Sequence, residues 1–150
     1  MNINNPLPRI KPDNALCRDC QLCALGCSLF HYGESSLSKA KIRVDKDMAL
    51  YKFSINVCRQ CKNPKCVEAC PVGAILLNDQ GYLILSQEKC TKCGECAKAC
   101  PFKSIYFSVE INEYQKCDMC FGRENGPVCV EICPVHALEK ITLDKSKDNK

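Results

Sequence analysis

Sixteen of the 150 residues are cysteine, and all sixteen fall into four groups of four. The first is Cys17, Cys20, Cys23 and Cys27, in "CRDCQLCALGC". The second is Cys58, Cys61, Cys66 and Cys70, in "CRQCKNPKCVEACP". The third is Cys90, Cys93, Cys96 and Cys100, in "CTKCGECAKACP", and the fourth is Cys117, Cys120, Cys129 and Cys133, in "CDMCFGRENGPVCVEICP". Every group begins C-x2-C and ends C-x3-C, while the middle spacer runs to two, four, two and eight residues. Proline follows the last cysteine of each group except the first, where Ser28 stands instead.

Thiols this dense serve disulfides, zinc or iron–sulfur clusters. The opening "MNINNPLPRIKPDN" has no apolar stretch of the kind that marks a chain for export, so the expectation is a cytoplasmic protein with reduced thiols. That removes the disulfide scaffold. Structural zinc uses C-x2-C pairs separated by a longer loop, not a third cysteine three positions on. The C-x2-C-x2-C-x3-C-P run is instead an iron–sulfur pattern in which the fourth cysteine ligates the other cluster of a pair. Two residues between cysteines let one tight loop present three thiols to one cluster. The fourth lies on the helical turn that follows and points away.

This exchange sets the expected ligands of four [4Fe–4S] clusters. Adjacent groups two and three exchange their last cysteines, giving Cys58, Cys61, Cys66 and Cys100 for one cluster and Cys70, Cys90, Cys93 and Cys96 for another. Groups one and four are left as partners across the chain, giving Cys17, Cys20, Cys23 and Cys133, and Cys27, Cys117, Cys120 and Cys129. Each cysteine is used once. The expected fold is α+β, with two bacterial-ferredoxin-like units whose small β-hairpins and short helices surround four clusters. It forms a single compact domain over 1–150, with a central unit over about 49–112 and a second unit joining about 14–48 to 113–143. The polar residues 144–150 are expected to be a disordered tail.

The formal charge of +4 describes the metal-free chain. Sixteen thiolates and four cluster cores of about 2+ each would bring the loaded protein to about −4. With lysine and arginine scattered, nucleic-acid binding is not expected. No apolar run approaches the ~20 residues of a membrane span, so no direct membrane insertion is expected.

Between the groups the pattern is of short strands and turns. "YKFSINV" places Tyr51, Phe53, Ile55 and Val57 on one face of a strand. "SIYFSVEI" predicts Ile105, Phe107, Val109 and Ile111 inward, with Tyr106, Ser108 and Glu110 outward. "AILLNDQGYLIL" reads as a hairpin. The C-x3-C endings suit single helical turns, Pro64 is acceptable at a helix start, and no long amphipathic helix is evident. With every ligand position filled by cysteine, His31 and His136 are assigned surface or packing roles. Phe30, Tyr82 and Phe102 are assigned to packing that excludes water, and Lys92 and Lys98 to solvation of their loop. Gly94 is expected to let backbone approach a sulfur. A chain built this way needs its inorganic contents to fold.

Residues about 14–143 resemble the four-cluster, polyferredoxin-like electron-transfer subunits of multisubunit oxidoreductases. The resemblance implies no catalytic residues of the chain's own. It implies electron relay between a catalytic subunit, tungsten- or molybdenum-containing or a nickel enzyme, and an acceptor subunit or soluble carrier. The stretch "CRDCQLCALGCSLFHYGESSLSKAKIRV", residues 17–44, is similar to compact subunits associated with tungsten aldehyde oxidoreductases and with carbon monoxide dehydrogenase. The tungsten setting is favoured. Partnership with carbon monoxide dehydrogenase or hydrogenase, or an iron–sulfur maturation or sensor role, is the alternative. Radical iron–sulfur enzymes need C-x3-C-x2-C, but Phe30, Gly73, Lys103 and His136 occupy the place of that third cysteine.

Overall fold

The computed structural model describes residues 8–142; the expected tail at 144–150 lies outside them. In chain order the elements are β1 (Pro8–Pro12), α1 (Leu22–Tyr32), a 3-10 turn (Leu37–Lys39), β2 (Ile42–Asp47), β3 (Lys52–Val57), α2 (Lys65–Glu68), β4 (Ile75–Leu77), β5 (Leu83–Leu85), α3 (Glu95–Ala99), β6 (Tyr106–Ser108), β7 (Glu113–Gln115), α4 (Val128–Ile132) and β8 (Leu138–Thr142). The strands form four separate two-stranded antiparallel ladders: β1 with β8, β2 with β3, β4 with β5, and β6 with β7. This is a small mixed fold of hairpins and short helices. The β1–β8 ladder brings the two ends of the described chain together, Ile10 opposite Lys140.

Each hairpin has a local cause. At 78–82 the Asn78 side-chain oxygen accepts the amides of Gln80 and Tyr82 at 3.0 and 2.8 Å, an Asx turn that closes the expected β4–β5 pair. At 47–50 the Asp47 carboxylate does the same for Ala49 and Leu50, both at 3.1 Å. The β2–β3 and β6–β7 hairpins straddle residues 49 and 112, so each seam expected between units runs through a ladder.

Three expectations need correction. Tyr51 lies in the turn before β3, with φ 48° and 78% exposure, and only Phe53, Ile55 and Val57 keep the inward face. In 105–111 Ile105 is buried and Glu110 exposed as expected, but Ser108 is buried while Phe107 and Val109 are exposed. The strand ends at Ser108, and Tyr106 is held at the face of β2, its ring 4.2 Å from the Arg43 guanidinium. Finally, α1 spans eleven residues, about three turns. The other three helices stop at or just before the Cys-Pro pair, with Cys100 and Cys133 extended, as a residue before proline prefers. Ser28 imposes no such stop, so α1 continues past Cys27; its hydroxyl donates to the Leu25 carbonyl at 3.0 Å and accepts the Ser36 amide at 2.8 Å.

Helix α1 packs on α4 and α2 on α3. Gly26 permits the first contact, since a Cβ there would meet Ile132 Cδ1 at 3.3 Å. Two apolar groups result. The larger gathers Ile10, Ile42, Ile55, Val57, Met119 and Leu138 around seven buried cysteines, and the smaller gathers Ile75, Leu83 and Ile105 around Cys96. Thiols thus form a large part of the interior.

Candidate iron–sulfur centres

The four cysteine loops share a backbone feature absent from any sequence motif. The residue two positions after the first cysteine is left-handed in every group: Asp19 (φ 54°), Gln60 (47°), Lys92 (60°) and Met119 (61°). None is glycine, so each carries strain of about 1–2 kcal/mol that its surroundings must outweigh. A turn of this hand sets the two flanking cysteines on one side of the loop and exposes backbone N–H groups to that side, a geometry that suits an anionic group. A second left-handed residue follows the last cysteine by three positions at Gly73, Lys103 and His136. Group one lacks it because α1 continues there.

The thiols fall into four neighbourhoods. Burial pushes Cys23 up to about 11, the Ala24 amide working against it and Cys17, Cys20 and Cys133 adding to it. Burial pushes Cys66 up to about 11, with Lys116 opposing and Cys58, Cys100 and Cys61 adding. Burial raises Cys96, with Cys90, Cys70 and Cys93 contributing in the same direction. It raises Cys129 well above the ordinary thiol value, helped by Cys117, Cys27, Cys120 and Cys23. Cys27 is pushed to about 12, mainly by burial. Thiols so disfavoured as anions need a cationic core beside them to be thiolates at neutral pH.

Among the described residues, no three Cys, His, Asp or Glu side chains converge closely enough for a single metal ion. The thiols surround spaces instead. Cys58, Cys61, Cys66 and Cys100 line a cavity of about 250 Å³ walled by Pro64, Leu83, Phe102 and Ile105. Cys17, Cys20, Cys23 and Cys133 line a narrower cleft beneath Val44, Ile55 and Leu138. Four thiols around an apolar space fit a polynuclear cluster.

Backbone amides reach the sulfurs. Ala74 donates to Cys70 Sγ at 3.2 Å and Ala137 to Cys133 Sγ at 3.3 Å, in the matching segments CPVGA and CPVHA. Met119 donates to Cys117 Sγ at 3.4 Å. Cys27, inside a helix, receives the Lys41 amide instead, at 3.3 Å. N–H···S contacts favour the more negative state of a cluster.

No motif announces the network beside Cys27. His31 Nε2 lies 2.9 Å from Asp118 Oδ1, Lys41 Nζ donates to Asp118 Oδ2 at 2.7 Å, and His31 Nδ1 lies 2.8 Å from the Cys27 carbonyl. Burial alone would raise Asp118, but the His31 hydrogen bond and the Lys41 charge together hold its carboxyl well below the usual range. Sequence spacing cannot signal this, because 87 positions separate His31 from Asp118. His136 is exposed. Lys92 is exposed, and Lys98 is exposed and paired with Glu95 at 2.7 Å. Tyr82 is buried, whereas Phe30 and Phe102 reach the surface, Phe102 beneath Arg59. At Gly94 the close neighbour is the Tyr114 hydroxyl, 2.5 Å from where a Cβ would sit, and φ is 80°. The glycine serves that approach and the left-handed turn.

No helix among the described residues is long and apolar enough to cross a membrane. Residues 49–142 match the family model described as a 4Fe-4S dicluster domain. The putative electron transport protein YsaA of Escherichia coli K12 is 32% identical over 89% of this chain and 88% of its own. The electron transport protein HydN of the same strain is 32% identical, over 90% and 87%. The thiosulfate reductase electron transfer subunit PhsB of Salmonella typhi is 27% identical, over 90% and 76%. A chain of the benzoyl coenzyme A reductase complex BamBC shares the fold, with TM-score 0.56 and 23% identity over 90% of this chain and 79% of that one.

Proposed function

The chain belongs to the 4Fe-4S dicluster domain family, and we propose that it relays single electrons through four [4Fe–4S] clusters between a catalytic oxidoreductase subunit and an acceptor. It is an electron-transfer subunit, not a catalytic one, in keeping with relatives named as electron transport proteins and as reductase electron-transfer subunits. The observation that carries the four-cluster reading is the grouping of the thiols. Cys58, Cys61 and Cys66 share a cavity with Cys100, and Cys17, Cys20 and Cys23 a cleft with Cys133, which supports the crossed sets Cys17, Cys20, Cys23, Cys133; Cys27, Cys117, Cys120, Cys129; Cys58, Cys61, Cys66, Cys100; and Cys70, Cys90, Cys93, Cys96.

A bound cluster supplies reversible uptake of one electron. The chain's residues supply the rest. Thiolates hold each group, amides of Ala74, Ala137, Lys41 and Met119 favour its reduced charge, and Ile75, Leu83, Ile105 and Leu138 keep water away. The relay order in this reading rests on how the thiols are packed. The packing of Cys23, Cys27, Cys58, Cys117 and Cys129 into one apolar group, with Cys96 in the other, supports an order with the Cys117 and Cys58 sets in the middle. Cys20 and Cys93, the two exposed thiols, belong to the outer sets. Two ferredoxin-like units, meeting at the hairpins that cross residues 49 and 112, complete this reading.

For the catalytic partner, the stretch 17–44 supports a tungsten aldehyde oxidoreductase, and the kinship with PhsB supports a reductase subunit in general. The test is anaerobic purification of the chain from its native host through an affinity tag. About sixteen irons per chain and a catalytic subunit in fixed stoichiometry are expected. Zinc in place of iron, or a loaded chain that travels alone, would overturn the relay.

A further inference from the structure

Lys116 is a cation in the interior, 2% exposed, immediately before Cys117. Its ammonium donates to the carbonyls of Leu83 and Cys117, the latter at 3.3 Å. No carboxylate pairs with it among the described residues. A buried cation is costly unless an opposite charge faces it. The face it presents is the cavity of Cys58, Cys61, Cys66 and Cys100, whose lining includes Lys116 and Arg59. The contrast with Lys41 is direct, for that ammonium beside Cys27 is neutralised by Asp118 at 2.7 Å.

We propose that Lys116, with Arg59 at the rim, is the built-in counter-charge of the cluster held by Cys58, Cys61, Cys66 and Cys100, and makes it the most easily reduced of the four. The inference rests on the four-cluster reading above. Reduction adds one negative charge beside a fixed positive one in a water-poor cavity, so the reduced state gains. Both cations share the wall of the cavity with its four thiols, and Lys116 does so from the buried side. Arg18, the cation lining the cleft of Cys17, Cys20, Cys23 and Cys133, is exposed to water, and the Lys41 ammonium beside Cys27 faces Asp118 at 2.7 Å. The relay would then hold an electron at an inner station, between the two ends, until the acceptor draws it off.

The test is a dithionite titration of the loaded protein followed by electron paramagnetic resonance, with iron counted in every sample. In the unaltered chain the first signal to appear is expected to be the one missing from Cys61→Ser. Lys116→Met is expected to lower the reduced-to-oxidised ratio of that signal at fixed potential at least tenfold, equivalent to about 59 mV for one electron. Lys116→Arg, which keeps the charge, is expected to restore most of it, and any shift of the other signals should be smaller. A first signal that survives Cys61→Ser in a chain lacking about four irons overturns the proposal, as does a Lys116→Met titration identical to the parent's. If Lys116→Met does not load, the exposed Arg59→Gln decides: a smaller downward shift of the same signal supports the proposal, and no shift overturns it. Iron well below sixteen in the parent would instead mark failure of the four-cluster reading.

Discussion

Gln60 and Leu83 exchange two hydrogen bonds: the Leu83 amide donates to Gln60 Oε1 at 2.7 Å, and Gln60 Nε2 donates back to the Leu83 carbonyl at 3.3 Å. A side chain thereby completes the free edge of β5 as a neighbouring strand would. Nε2 also donates to the Cys117 carbonyl at 3.0 Å, so one buried amide ties the second cysteine group to the fourth. Gln60→Leu would leave the Leu83 N–H buried without a partner, at a cost of about 1–3 kcal/mol. The expected outcome is an earlier midpoint for guanidinium-driven bleaching of the cluster absorbance, measured anaerobically. An unchanged midpoint would mean that the junction does not depend on this residue.

The left-handed residue shared by the four loops can be tested where it is exposed, at Lys92 (φ 60°). Glycine adopts this conformation freely, whereas a β-branched side chain is a steric outlier there. Lys92→Gly should therefore hold or raise stability, and Lys92→Val should lower it by about 1–2 kcal/mol. Both are read from the same anaerobic denaturation. Equal stability of the two variants would show that the loop relaxes and that the turn is not required.

Much of the site is legible in the sequence because ligand spacing is local chemistry. Cysteines two residues apart share a loop whatever lies elsewhere, and Asn78 with Gly81 announces its own hairpin. What escapes is set by distant partners. The alternation of 105–111 does not decide the face of β6, where Tyr106 stacks with Arg43 of β2 and Ser108 goes inside. The cations of the interior are equally silent. Nothing in the spacing marks Lys41 or Lys116 until the fold brings Asp118 to one and a thiol-lined cavity to the other. The missing proline at Ser28 is the visible signal of the longer α1.

Removal of iron should unfold the chain rather than leave a hollow fold. Seven of the seventeen buried residues in the larger apolar group are cysteines, so the clusters form much of what the remaining side chains pack against. The left-handed loop residues add strain that cluster binding would offset. Chelation under anaerobic, reducing conditions is expected to abolish the far-ultraviolet circular dichroism of the folded state, and reconstitution with iron and sulfide to restore it. A metal-free chain that kept its dichroism and a cooperative thermal transition would show a fold independent of its cofactors.

Crossed ligation has its sharpest test at Cys27. It sits on α1 one turn beyond Cys23, yet its thiol neighbours lie at the other end of the chain: Cys120 acts on it, and it acts on Cys117 and Cys129. Cys23 on the same helix is grouped with Cys17, Cys20 and Cys133. Serine at position 27 keeps the helix and the nearby Lys41 amide but replaces the sulfur, so damage should be confined to one cluster. Three variants are compared by iron content and by paramagnetic resonance of the reduced protein: Cys27→Ser, Cys20→Ser and Cys120→Ser. Each is expected to lose up to about four irons. Cys27→Ser should lose the same signal as Cys120→Ser, 93 positions away, and retain the signal that Cys20→Ser loses three positions before Cys23. If Cys27→Ser matched Cys20→Ser instead, each group would serve its own cluster. The exchange between the chain's two ends would then be wrong, whatever the total iron.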